Sequence, residues 1–324
     1  MERYTNTRNL ILIFVVLLAF WSTIAIQAQD ETVFIAVVGG TSFGEPADFG
    51  KGMVEEEGML TVETKAGTSP PIYKMRYKGV PFYYIRMYGV QAKLPDQREG
   101  LHHIKTWLAL NQLGVTHVLG GASSGGIRTD YDYDDLVVID DFMEMEVNRP
   151  QNILTFAGIE RPGIFANYAH PYSPSLRKLL IEEALKMQDS YSGRLYTSAT
   201  FVQHNPERFE TAAEVRAMRI LGGDLTSENI ATCTVYARQL GIRFAALCSI
   251  ANPAVGVRPF SFKDMQASVQ RIAAQAIPIV LEVIARIPSD EEAMGPEPIS
   301  TGELFEGSYT NPDSESHRIA DPKN

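Results

Sequence analysis

Three short apolar runs, each emptying into glycine, serine, threonine or asparagine, constrain this chain most. Residues 33–38 read VFIAVV and open into Gly39-Gly40-Thr41-Ser42, and residues 116–119 lead into the small-residue stretch 120–126. Residues 244–250 then lead into Ala251-Asn252. Continuous β-branched runs of this length are strands buried on both faces, and such strands occur where helices cover a mostly parallel sheet. Helical spacing falls between them. It predicts helices over 101–113, 175–188, 211–221, 229–240 and 265–287, with a serine cap near 175 and glycine stops at Gly114, Gly222 and Gly241. Further strands are expected at 72–76, 80–87, 136–139 and 193–202. The fold class is therefore α/β, with a central mixed sheet flanked by helices.

The ends of the chain read differently. Arg3 and Arg8 precede an apolar run over 10–26 and then Gln27-Ala28-Gln29-Asp30, the pattern of an export signal cleaved after Ala28. About 17 apolar residues sit at the low edge for spanning a bilayer, so an uncleaved anchor is the alternative. The expected organisation is a signal over 1–28, one domain over 29–288 and a polar, disordered tail over 289–324. The expected location is periplasmic or extracellular, with the membrane met only through the N-terminal segment.

A formal net charge of -10, with no lysine or arginine cluster, excludes the basic surface that nucleic acid requires. Cys233 and Cys248 stand among apolar neighbours and read as core residues. The adjacent His102 and His103 diverge by about 100° on a helix, and no close-spaced ligand set appears, so no metal or organic cofactor is expected.

Small-residue loops at the carboxyl ends of strands are where open α/β sheets collect ligands. The most distinctive segment is Pro206-Glu207-Arg208-Phe209-Glu210-Thr211-Ala212-Ala213-Glu214, followed by Gly222-Gly223-Asp224, Ala237-Arg238, Gly241 and Ala251-Asn252. In this register the chain resembles the trimeric purine nucleoside phosphorylase and methylthioadenosine phosphorylase family, with its FET-AE segment, GAD helix end and strand ending in TN or TD. The likeness extends over 33–288 and includes Gly114-Val115-Thr116-His117-Val118 and Arg149-Pro150.

The resemblance implies a nucleoside phosphorylase-type fold, a homotrimer, a purine nucleoside substrate and inorganic phosphate as co-substrate. It places Phe209 near purine and ribose, Glu210 on the base edge, and Asn252 at N7 and O6. Asn252 is one of two expected catalytic groups, since breaking the glycosidic bond leaves negative charge on the base that a side-chain amide can stabilise. Asparagine there, with Glu210, implies 6-oxopurines such as inosine or guanosine. Ser124, Gly125, Tyr88 and Phe262 complete the implied substrate contacts, Phe262 near the 5′ position. Thr41, Ser42, Arg86, Ser123 and Asn229 are the implied phosphate ligands.

Departures from the family gather on the phosphate side. The Arg-His pair reads Arg86-Met87, or Arg86 stands at the histidine and Tyr88 at the ribose-contacting tyrosine. The loop usually written TTACG or TNAAG is Gly121-Ala122-Ser123-Ser124-Gly125, and the NYxAN stretch is Glu99-Gly100-Leu101-His102-His103. The methionine beneath the ribose becomes Glu228, and a phosphate-binding serine or threonine becomes Asn229. Glu228 is the second expected catalytic residue: its carboxylate is expected to repel phosphate, or else to hydrogen-bond the ribose hydroxyls or help position an attacking water. Three activities fit: phosphorolysis; hydrolysis assisted by Glu228; and binding without catalysis by an exported protein.

Overall fold

The computed structural model describes residues 34–87, 101–146, 148–158, 166–204 and 208–294. Its first half contains β1 (Ile35–Gly39), β2 (Glu55–Leu60), the small hairpin β3 (Glu63–Thr64) and β4 (Gly67–Thr68), β5 (Ile72–Tyr77), β6 (Val80–Arg86) and α1 (Leu101–Gln112). Then come β7 (His117–Gly120), β8 (Ser123–Gly126), β9 (Leu136–Val138), β10 (Asp141–Glu144), α2 (Leu154–Ala157) and α3 (Pro174–Lys186). The second half continues with β11 (Leu195–Tyr196), β12 (Thr200–Gln203), α4 (Ala212–Ile220), β13 (Leu225–Ser227), α5 (Ile230–Leu240), β14 (Arg243–Pro253) and α6 (Phe262–Met294).

Among the described residues, twelve strands join one mixed sheet in the order β10-β12-β13-β8-β14-β7-β1-β6-β5-β2, with β9 and β11 attached beside β14. The middle is parallel: β1 lies between β6 and β7, and β14 pairs with β7. Every residue of β1, β7 and β9 is buried, as the continuous apolar runs require. Eleven-residue β14 holds the sheet together by changing partners along its length, from β7 to antiparallel β9 and then to β8. The core beneath packs β1, β6 and β7 against α3 and α6 through Val37, Tyr84, Leu119, Leu180, Val280 and Ile284.

Several expected boundaries shift for physical reasons. The single strand over 193–202 is two, because β11 pairs with β9 while β12 pairs with β10 and β13, and one straight strand cannot serve both. The expected loop 120–126 contains β8, paired with both β13 and β14. The cap of α3 is Ser173 rather than a serine at 175, its side chain accepting from the Leu176 amide with Pro174 at the first helical position. Helix α6 passes the expected stop at 287 and continues through Pro278 and Pro288. Proline normally ends a helix, but Ile277, Ile279 and Ile287 are buried around these prolines, so packing outweighs local propensity. This helix is long and apolar enough to cross a membrane by composition, yet its apolar residues form the core.

The glycines of the first two strand ends serve packing. A Cβ on Gly121 would stand 2.5 Å from Phe43 Cζ, and one on Gly39 2.7 Å from Phe43 Cδ2, so the Phe43 ring fills the space that side chains there would need. Gly121→Ala is accordingly expected to cost about 1–3 kcal/mol by overpacking, read from urea unfolding. Adding Phe43→Leu should recover part of that loss; a variant as stable as the parent would refute the assignment.

Candidate functional site

One cavity of about 460 Å³ lies where β1, β7, β8 and β14 end and the start of α5 meets them. Small-molecule sites commonly enclose about 300–1,000 Å³. Nine of the sequence-expected residues line it: Thr41, Ser42, Ser123, Gly125, Phe209, Glu210, Glu228, Asn229 and Asn252.

The wall where base contacts were expected is built by α4 and β14. Thr211 caps α4 and accepts from the Glu214 amide at 3.2 Å, while Glu214 Oε2 accepts from the Thr211 amide at 2.7 Å. This capping box explains the threonine and second glutamate of the motif. Arg208 clamps Glu214 at 2.6 and 2.8 Å and, with the Thr211 amide, holds that carboxyl down at about 2. The preceding Phe209 and Glu210 are thereby fixed against the cavity. Glu210 is 5% exposed, and its Oε1 accepts from the Val255 amide at 2.8 Å. Gly125 lies beside it: a Cβ there would make an ordinary contact with Glu210 Oε1 at 3.5 Å and a tight one with Ala254 Cα at 3.3 Å.

Successive strand residues point to opposite faces. Ala251 and Asn252 both line the cavity because the β14 to β8 register shifts between Ile250 and Asn252. The Asn252 amide donates to the Pro253 carbonyl at 2.8 Å, which sets its plane. Phe209 is half exposed at the mouth, its ring 6.3 Å from Phe260.

The opposite wall is rich in hydroxyls. Ser42 is fully buried, and among the described residues the Oγ atoms of Ser42 and Ser123 have no hydrogen-bond partner. Orphan buried hydroxyls are uncommon, and two on one cavity wall mark a place for a polar ligand. Helix α5 starts on the same wall. Asn229 at its N-cap makes no capping bond and instead bonds His103, which burial holds neutral well below the usual histidine range. Gln203 caps the helix in its place, accepting from the Thr232 amide at 3.1 Å, and Arg149 holds the Glu228 carbonyl at 2.5 Å from the far side.

Glu228 is the titrating group of this wall. Burial raises its carboxyl from 4.5 to about 7; Arg149 opposes the shift, and Glu210 adds to it. At neutral pH it is therefore about half protonated, and the expected repulsion of phosphate is correspondingly reduced.

Four expected residues lie elsewhere. Ser124 is on β8 with its neighbours Ser123 and Gly125 in the cavity, so alternation turns it to the other face, against the Cys248 thiol. Arg86 ends β6 beside Gly39 and pairs with Glu45 rather than lining the cavity. Phe262, the first residue of α6, is 61% exposed; Met265 and Val269, farther along the helix, line the wall instead. Tyr88 falls outside the described residues. Sequence reasoning missed His204, Arg208, Thr226 and Ser227, which also line the cavity. Only the nearness of Arg208 to the FET segment was a signal for any of them.

The sequence profile of the Phosphorylase superfamily matches residues 34–285. A probable S-methyl-5'-thioinosine phosphorylase of Methanopyrus kandleri is 30% identical over 257 residues, 78% of this chain and 93% of that protein. A probable 6-oxopurine nucleoside phosphorylase of Thermococcus kodakarensis is 28% identical, covering 69% of this chain and 81% of its own. Among solved structures, an adenosine/methylthioadenosine phosphorylase mutant from Schistosoma mansoni, in complex with adenine, superposes with a TM-score of 0.70 at 18% identity. That match covers 81% of this chain and 95% of the other, and at that identity it shows the shared fold.

Proposed function

The chain belongs to the Phosphorylase superfamily, and from that premise we propose that it cleaves 6-oxopurine nucleosides with inorganic phosphate, releasing the free base and a pentose 1-phosphate. The observation that carries this reading is the cavity's division into a base side, with Glu210 and Asn252, and a hydroxyl side, with the partnerless Ser42 and Ser123. Relatives named 6-oxopurine nucleoside phosphorylase support the choice of base.

In this reading Ser42, Ser123, Thr41, Asn229 and the amino end of α5 hold phosphate, helix N-termini being favourable anion sites. A phosphate oxygen attacks C1′ as the C1′–N9 bond breaks, and the bonding pair leaves with the purine. Asn252 stabilises the charge that reaches N7 and O6, and a proton from solvent completes the free base. Near pH 7 the protonated half of Glu228 presents an O–H rather than a charge to the phosphate.

Homotrimer formation and export directed by residues 1–28 belong to the same proposal. The first rests on the family resemblance, the second on Arg3 and Arg8 ahead of the apolar run 10–26.

The test is a phosphate titration with inosine. Ser42→Ala is expected to raise the KM for phosphate about tenfold, the worth of one hydrogen bond to a charged group, and to leave the KM for inosine nearly unchanged. The reverse pattern would place Ser42 on the nucleoside and overturn the division of the cavity.

A further inference from the structure

Asn229 stands at the start of α5 and does not cap it. Asparagine is among the best N-cap residues because its side-chain oxygen accepts from an amide two or three residues on. Here the amide such a cap would take is that of Thr232. It donates instead to Gln203 Oε1 at 3.1 Å. The Asn229 backbone, at φ -138° and ψ -26°, accordingly lacks the extended form of a capping residue. Its side chain bonds His103, and the residue lines the cavity.

Strand order brings Gln203 to this helix. β12 lies between β10 and β13, and Gln203, its last residue, stands opposite Glu144 on one side and Ser227 on the other. The chain leaves β13 at Ser227 and enters α5 at Ile230, so a side chain at the end of β12 meets the first turn. Gln203 is fully buried, and each of its polar atoms is engaged there. Its Nε2 donates to Glu144 Oε1 at 2.6 Å and to Thr232 Oγ1 at 2.7 Å. With both amide hydrogens given to a carboxylate and a hydroxyl, the oxygen is the atom that faces the Thr232 amide.

We propose that Gln203 is a positioning residue for phosphate: by capping α5 from a neighbouring strand, it releases the Asn229 side chain to the cavity. This rests on the proposed function. An amide nitrogen carries two hydrogens and the bond with His103 takes at most one, so Asn229 Nδ2 keeps a donor for a phosphate oxygen. Without Gln203 the buried Thr232 amide loses its acceptor, which is costly. Asn229, three residues earlier, is placed to replace it and then turns from the phosphate to its own helix.

The experiment is a double-mutant cycle of Asn229→Ala and Gln203→Met, read as the KM for phosphate with inosine and as the unfolding temperature. Each single variant should raise the KM for phosphate about tenfold while the KM for inosine stays within about twofold, and the double variant should be no worse than Asn229→Ala alone. Unfolding should show the opposite coupling. Asn229→Ala should be nearly neutral in the wild type but lower the transition by about 2–4 °C in the Gln203→Met background, where the asparagine has become the cap. If Gln203→Met does not fold, Asn229→Ala alone decides: an unchanged transition with a raised KM for phosphate supports the inference, and a transition lowered by that amount overturns it. Additive losses across the cycle, or a Gln203→Met enzyme with an unaltered KM for phosphate, overturn the inference and leave phosphorolysis standing. Turnover of inosine at the same rate without phosphate overturns both.

Discussion

In the proposed reaction, Asn252→Ala is expected to lower kcat/KM for inosine by roughly 100- to 1,000-fold, the loss that follows when one preorganised donor to a developing anion is removed. Asn252 is 5% exposed at a bulge in β14, with its amide plane fixed by the Pro253 carbonyl, so no reorganisation is needed when charge appears on the base. Because the contact strengthens as the bond breaks, most of the loss should fall in kcat, and the KM for phosphate should hold steady. Steady-state rates with inosine and with phosphate varied in turn check this. A fall below about tenfold would mean that the charge on the leaving base is met elsewhere, for instance by solvent.

Glu228→Gln produces the second large effect, and its sign depends on pH. The folded-state value of about 7 lies above the ordinary 4.5, so the native protein binds a proton that the unfolded chain has released over that window. The contribution of Glu228 to wild-type stability therefore falls as pH rises from about 4.5 to 7, by about 2–4 kcal/mol in total. Glutamine carries no such charge. The variant should match the wild type in urea unfolding at pH 4 and exceed it by about that amount at pH 8. Activity should move in parallel, since above pH 7 the wild-type carboxylate shares the cavity with phosphate. With a carboxyl pKa of about 7, only about one wild-type molecule in ten is still protonated at pH 8, so kcat/KM for phosphate at that pH should rise up to about tenfold in the variant. At pH 6 the two proteins should differ little. Loss of activity in the variant at every pH would instead make Glu228 a proton-transferring group.

Much of this architecture was legible because its signals are local. The buried strands announced themselves as unbroken β-branched runs, and Thr211 with Glu214 encodes a helix start within four residues. Phe209, Glu210 and Asn252 were expected through the family resemblance, carried by the FET segment and the strand-end asparagine, and all three line the cavity. What escaped depends on pairings distant in sequence. Ser124 was grouped with Ser123 because 120–126 read as a loop, where no alternation separates neighbours; only pairing with β13 and β14 makes it a strand. The family register placed Phe262 at the 5′ position, whereas tertiary packing of α6 brings Met265 and Val269 to the cavity wall. His204 meets Thr226, 22 residues away, and a carboxylate on the next element, contacts that no local pattern encodes. The Glu228 carboxyl looked like a fixed negative charge in the sequence, and only burial shows that it titrates near neutrality.

The central claim is that phosphate is the second substrate of this cavity. Its most direct test is the fate of the pentose when inosine is turned over in 18O-labelled water with and without phosphate, followed by 31P nuclear magnetic resonance and mass spectrometry. The account predicts one unlabelled ribose 1-phosphate for each hypoxanthine released and no release without phosphate. Free ribose carrying 18O, formed at the same rate whether or not phosphate is present, would contradict it.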